Sequence, residues 1–290
     1  MSRVFVLGNA GVDLALALPH LARPGETAVA SSGRRAPGGK GLNQAVTAAR
    51  AAASVRFCAP VGTDAEAALV AAALTAEPLA DLRLLPKPGP TDQSIVMVAA
   101  DGENCIVSLC ACADALTPGE AAGFAAEAGA ADWLLLQGNL SAAATLAAMQ
   151  AAGGPVMLNA APLRWPVAPL LAHAQIVVVN AVEAAAISSN AGPAEAARWL
   201  HARGCATALV TLGADGCLWV GADGLSHLPA AMVRPVDTSG AGDTFCGVLV
   251  ARLASGMPLP HAISSAQAAA AVAVTRRGAF DSIPTAAELF

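Results

Sequence analysis

The sequence predicts an α/β protein with a central, mostly parallel sheet and helices on both faces. Short apolar runs of strand type end at Leu7, near Val61, and at Leu136, Leu158, Val179 and Val210-Thr211. Alanine-rich stretches of helical preference separate them. That alternation argues for parallel strands joined by helical crossovers. Asn9, Gln137, Asn159, Asn180 and Thr211 stand just beyond strand ends, where ligands of such sheets bind.

Composition agrees with one large domain over residues 1–290. The chain is 56% hydrophobic and 13% charged, enough to bury a sizeable core, and no Pro/Gly-rich linker or internal repeat divides it. No run of about 18 strongly apolar residues suggests a membrane span. The first residues, Met1 to Gly8, enter a strand without a signal-peptide pattern, so a cytoplasmic location is expected. Net charge is −5 and basic pairs occur only at Arg34-Arg35 and Arg276-Arg277, which argues against a nucleic-acid partner. Seven cysteines, with Cys110 and Cys112 closest together, lack zinc spacing and read as reduced thiols. The five histidines are isolated and lie in no motif.

Taken in order, the elements begin with strand 4–7 and the turn Gly8-Asn9-Ala10-Gly11-Val12-Asp13. A dinucleotide fold would need G-x-G-x-x-G here, but positions 10 and 13 are Ala and Asp. Segments of about 13–36 and 91–110 break the helical alternation and read as paired β pieces, the second turning at Asp101-Gly102-Glu103-Asn104. Pro37-Gly38-Gly39-Lys40-Gly41 follows the first piece and opens a helix beginning at the polar residues Asn43 and Gln44. It lacks the Walker A pattern, having Arg34 and Gly41 where Gly and Ser or Thr belong. Its glycines let a ligand approach the backbone, and Lys40 and Asn43 offer donors to a polyhydroxylated ligand; a plain surface loop is the alternative.

Residues 232–245 are the most informative. Met232 to Val236 read as a strand, Asp237-Thr-Ser-Gly-Ala-Gly as a turn, and Phe245, Val248, Leu249 and Leu253 as one helical face stopping at Gly256. The free amides of Gly240, Ala241 and Gly242 at a helix N-terminus form an anion cradle. Asp243 places a carboxylate inside that cradle. A base accounts for accepting this repulsion, so phosphoryl transfer to a hydroxyl is expected. The simpler reading is a tight turn with an acid near the helix cap.

Together these motifs resemble the ribokinase (PfkB) family of carbohydrate kinases along nearly the whole chain. Four further segments match in order: Pro24-Gly25-Glu26-Thr27, Asn180-Ala181-Val182-Glu183, Thr211-Leu212-Gly213-Ala214-Asp215-Gly216 and Val272 to Ala279. The resemblance implies a three-layer fold with a small β lid, a homodimer formed through that lid, and an ATP-dependent sugar kinase using Mg²⁺ and K⁺. It implies Asp243 as base, with Gly240, Ala241 and Gly242 stabilising the transferred group. Asp13, Gly39, Lys40, Asn43 and Asn139 would bind sugar together with Asp243. Asn180, Thr211, Gly213, Gly216, Gly242 and Gln267 would bind nucleotide. Asn180 and Glu183 would order the water shell of Mg²⁺, although Glu183 also reads as a helix-N-terminal acid. Asp237, Ser239, Ala273, Arg276, Gly278 and Ser282 would hold the monovalent cation, with Asp237 equally readable as a turn cap.

Two positions depart from the pattern the resemblance implies. Gly11 stands where the family carries Asn, and Gln137-Gly138-Asn139 lacks the acid expected after its strand. Both changes remove or replace contacts to sugar hydroxyls, which discriminate strongly between substrates. Ribose leads by resemblance, and another pentose, a ketohexose such as fructose, or a nucleoside stays open. Arg34 and Arg35 read as a solvated edge or as facing a phosphate on the substrate. A non-catalytic sugar-binding homologue is the rival from another class.

Overall fold

The computed structural model describes residues 2–101, 103–189 and 191–289. The chain runs through β1 (Arg3–Leu7), β2 (Gly11–Leu18), β3 (Ser32–Gly38), α1 (Lys40–Arg50), β4 (Ser54–Val61), α2 (Ala65–Thr75) and β5 (Asp81–Pro86). It continues with β6 (Asp92–Ala99), β7 (Asn104–Leu109), α3 (Ala111–Asp114), α4 (Pro118–Ala125), β8 (Trp133–Gln137), α5 (Ala142–Ala151) and β9 (Val156–Asn159). The last third holds β10 (Ile176–Asn180), α6 (Ala181–Ile187), α7 (Pro193–His201), β11 (Thr207–Thr211), β12 (Cys217–Gly221), β13 (Gly224–Leu228), α8 (Ala241–Ala254) and α9 (Leu259–Ala273).

Among the described residues, nine strands form the main sheet in the order β13-β12-β11-β10-β9-β8-β1-β4-β5. Pairing is parallel from β5 to β11, and the β11-β12-β13 edge is antiparallel. Side chains alternate across each strand. In β1, Val4 and Val6 therefore enter a core with α1, α8 and α9, while Phe5 and Leu7 enter a second core with α4, α5 and α7. Both faces are covered, which explains why the strands read as continuous apolar runs.

β1 has β4 on one side and β8 on the other. The chain moves outward from β1 to β5 and then returns to β8, so strand order reverses beside β1. A crevice opens at such a switch point beyond the strands' carboxyl ends. A separate four-stranded sheet, β3-β2-β6-β7, stands over it. Its strands occupy the two predicted β segments, although residues 19–31 between β2 and β3 form no strand. β6 and β7 pair antiparallel, and the amide of Glu103's partner Ala99 donates to the Glu103 carbonyl at 2.8 Å. Gly102 of the predicted hairpin lies outside the described residues.

Two local expectations are corrected. Residues 232–236 form no strand, because the main sheet ends at β13 and offers them no ladder. The amides of Val236 and Asp237 instead donate to the carbonyl of Val274, at the end of α9, and Met232 is fully exposed. Helix α1 begins at Lys40 rather than at Asn43. Asn9 makes the earlier start possible: its carbonyl accepts from the Leu42 amide at 3.0 Å and its side-chain oxygen from the Gly41 amide at 3.4 Å. These contacts satisfy first-turn donors that would otherwise be open. No helix among the described residues is long and apolar enough to cross a membrane.

Candidate active site

Asp243 is the third residue of α8, following Gly240 at φ 75°. That left-handed turn suits glycine and aims the start of α8 at the crevice. One turn further, Gly247 lets α8 approach α1 closely. A Cβ there would lie 2.5 Å from Thr47 Cβ and 2.7 Å from the Gln44 carbonyl oxygen. This approach brings Asp243, only 5% exposed, against the first turn of α1. Gln44 Nε2 donates to Asp243 Oδ1 at 2.9 Å, and Asn43 Nδ2 donates to Oδ2 at 3.3 Å. The Lys40 ammonium stands 3.7 Å from Oδ1. Asp243 in turn holds the Lys40 ammonium above its usual pKa.

Gln44 does not act alone, because Gln137 Nε2, from the end of β8, donates to Gln44 Oε1 at 2.9 Å. A buried chain thus runs from a strand of the main sheet through α1 to the Asp243 carboxylate. Gln44 was absent from the sequence-derived site, and only its polarity within an apolar helix hinted at it.

A small cavity, partly open to solvent, adjoins this group beneath the second sheet. Asn9, Asp13, Gly39, Asp92, Ser94 and Asn139 line it, so predicted residues from three separated segments meet there with Asp92 and Ser94 of β6. Burial pushes the Asp13 carboxyl up to about 6, and the nearby charge of Asp243 adds to the effect. Asp92 is likewise pushed to about 6 by burial, opposed by amide donors from Ala113 and Cys112. Buried oxygens of Asn43, Asp92, Gln137 and Asn139 have no hydrogen-bond partner among the described residues. Those of Asp92 and Asn139 belong to residues lining the cavity, and orphaned buried acceptors facing a cavity mark a site awaiting donors.

At the turn before α8, the amides of Gly240 and Gly242 meet no acceptor among the described residues, and a Cβ at Gly242 would point into open space. The third predicted cradle amide differs. Ala241 donates weakly to the Thr238 carbonyl at 3.3 Å and closes the turn. Asn180 and Glu183 cap α6 reciprocally, with Glu183 Oε2 accepting from the Asn180 amide at 2.9 Å and Asn180 Oδ1 from the Glu183 amide at 2.8 Å. The helix-N-terminal reading of Glu183 is thereby realised, and its charge adds to the rise in the Lys40 pKa caused first by Asp243.

The other positions expected to meet the nucleotide lie on β11, the turn after it and α9. Thr211 ends β11, and Gly213 and Gly216 take positive φ in the following turn. Gln267 lies on α9 with its amide donating to the Leu228 carbonyl at 3.0 Å. Asp237 acts as a bracket: Oδ1 accepts from the Ser239 amide at 2.9 Å and Oδ2 from the Gly278 amide at 2.8 Å. It joins the glycine turn to the C-terminal loop, as a turn cap does. The Ala273 carbonyl accepts from the Arg276 amide and Ser282 Oγ donates to the Ala279 carbonyl. Carbonyls of Ser239, Arg276 and Gly278 accept no hydrogen bond among the described residues and remain as hard oxygen donors. Arg34 and Arg35 lie on an exposed strand edge, with side chains 57% and 52% exposed, where they pair with Asp281 and Glu66.

The family model described as pfkB family carbohydrate kinase matches residues 1–286. Ribokinase of Haemophilus influenzae is 33% identical over 293 residues, covering 98% of this chain and 95% of the relative. The structure of Thermotoga maritima ribokinase superposes with a TM-score of 0.92 at 29% identity, covering 100% of this chain and 98% of that one. Arabidopsis thaliana ribokinase, solved with ribose and ATP, gives a TM-score of 0.88 at 26% identity with the same coverage.

Proposed function

The chain belongs to the pfkB family and is an ATP-dependent carbohydrate kinase, and from that premise we propose that it phosphorylates a primary hydroxyl of ribose. The observation that carries this reading is a buried carboxylate, Asp243, held by three donors on the first turns of α1, beside the glycine turn with its open amides. Such a carboxylate is placed to take the hydroxyl proton as the oxygen attacks the γ-phosphorus. Transfer passes through a state with charge spread over the phosphoryl oxygens. The open amides of Gly240 and Gly242, with the dipole of α8, would meet that charge, usually a large contribution to rate. Ala241 would join them by exchanging its weak turn bond for the phosphoryl oxygen.

Asp13, Gly39, Lys40, Asn43 and Asn139 would orient the sugar. Asn180, Thr211, Gly213, Gly216, Gly242 and Gln267 would follow the nucleotide. Mg²⁺ would supply charge neutralisation at the phosphates, its retained waters ordered by Asn180 and the free oxygen of Glu183, donors suited to a hard cation. Carbonyls of Ser239, Arg276 and Gly278, with Asp237, Ala273 and Ser282, would hold K⁺ and stiffen the turn that presents the cradle.

In this proposal residues 1–290 act as one kinase domain in a cytoplasmic setting, with the β3-β2-β6-β7 sheet as lid. Ile95, Ile106, Val107 and Leu109 leave apolar surface exposed on that sheet, which supports pairing of two lids in a homodimer. The test is ADP release with ATP, Mg²⁺ and a panel of pentoses, ketohexoses and nucleosides. D-Ribose should give the highest kcat/KM, and a clear preference for fructose or a nucleoside would overturn the assignment.

A further inference from the structure

Asp92 was not singled out by the sequence, yet it is the least explained polar group at the cavity. It opens β6 and sits opposite Gly11 of β2 in the sheet register. It is 3% exposed. Oδ1 is occupied, accepting from the Cys112 amide at 2.9 Å and the Ala113 amide at 3.3 Å. Oδ2 is buried with no partner, and the residue lines the cavity. Leaving a buried carboxylate oxygen unpaired carries a substantial desolvation cost unless a ligand donates to it.

The opposite wall cannot supply this contact. A Cβ on Gly11 would lie 2.1 Å from the Asp92 carbonyl oxygen, so position 11 holds no side chain while β6 runs there. Asn139, 8% exposed and also lining the cavity, presents a second unpartnered oxygen. Its backbone is fixed by Arg164, which bonds the Asn139 carbonyl and pairs with Asp114. This end of the cavity therefore offers acceptors. Asp92 and Asn139 line the cavity, whereas Asp243 lies outside its lining, against Asn43 and Gln44 of α1.

We infer that Asp92 Oδ2, with Asn139 Oδ1, selects substrates by accepting hydrogen bonds from hydroxyls of the sugar ring remote from the phosphorylated hydroxyl. The inference rests on the sugar-kinase reading and adds to it a specificity residue contributed by the second sheet. Asp92→Asn is the appropriate variant, because its remaining carbonyl keeps the bond to the α3 amides.

Wild type and variant would be assayed for ADP release, and for binding by calorimetry, with D-ribose and its 1-deoxy, 2-deoxy and 3-deoxy analogues. The expected result is a loss of about 10–100-fold in kcat/KM for ribose, carried by KM, from one charge-assisted bond. The analogue lacking the hydroxyl that reaches Asp92 should show little further loss in the variant. An equal loss on all four sugars, or no loss, overturns the inference while leaving the kinase reading intact. Failure of every sugar to bind or to release ADP with wild type overturns the ribose reading and this inference together.

Discussion

Replacing Asp243 by Asn is the most direct test of the chemistry, and its consequences can be worked from the contacts. The residue is 5% exposed, and Asn fills the same volume. Its single side-chain oxygen can satisfy Gln44 Nε2 or Asn43 Nδ2, not both, and its own NH₂ then faces a donor. One unmade buried hydrogen bond costs about 1–3 kcal/mol. Lys40 also loses its counter-charge at 3.7 Å, but its side chain is 34% exposed. Water screens that loss to about 1 kcal/mol or less. The sum predicts a fall in Tm of several degrees, at roughly 2–4 °C per kcal/mol, with the protein still folded. Turnover should fall much further, because removal of a general base costs on the order of 10²–10⁴ in kcat. In barrier terms that is about 3–5 kcal/mol. A coupled ADP assay on D-ribose, calorimetric sugar titration and a melting curve separate the two effects. Full turnover in folded Asp243→Asn refutes the base assignment, and a loss of sugar affinity as large as the loss of kcat refutes its separation from binding.

Gly240→Val places a branched side chain where φ is 75° and where a Cβ would be 2.9 Å from Ala279 Cα, on the edge of the open amides; kcat should drop by about 10²-fold or more, and unchanged kcat rules out the cradle. Exchanging K⁺ for Na⁺ should alter kcat if the carbonyls around Asp237 hold an ion, and equal rates in both salts remove that site. Asp13 has a folded pKa near 6 against a reference of 3.8, so the folded state binds more protons between those values. Its contribution therefore favours folding below the reference value and is lost as pH rises through about 6. Asp13→Asn should accordingly be more stable than wild type at about pH 8, by up to roughly 3 kcal/mol, and the gain should vanish near pH 4 in denaturant titrations. A gain that grows at low pH would contradict that assignment.

The parts of the site that depend on neighbouring residues were legible. A glycine turn, an acid three residues into a helix and an apolar helical face all lie within 237–256, and they occur as read. The strand ends bearing Asn9, Gln137, Asn159, Asn180 and Thr211 were legible because buried parallel strands make unbroken apolar runs. Residues 232–236 misled for the same reason: they are apolar, but strand formation needs a partner, and that information lies in the sheet order. Gln44 and Gln137 are 93 positions apart, and their bond follows from the close packing of α1 on the sheet, which no local pattern encodes. Asp92 was hidden by its setting at the edge of a strand-like segment. An acid beside Thr91 at the start of an apolar run was the only cue.

The ion pair between Arg34 on β3 and Asp281 in the C-terminal loop lies on the outside of the molecule, with side chains 57% and 35% exposed. It clips the sheet above the cavity to the stretch whose Gly278 amide Asp237 holds. Dissolved ions weaken such a clip while leaving enclosed contacts nearly untouched. Ionic strength is therefore an external dial on how firmly the two sides of the crevice are fastened together, one that can be turned without altering any group inside it.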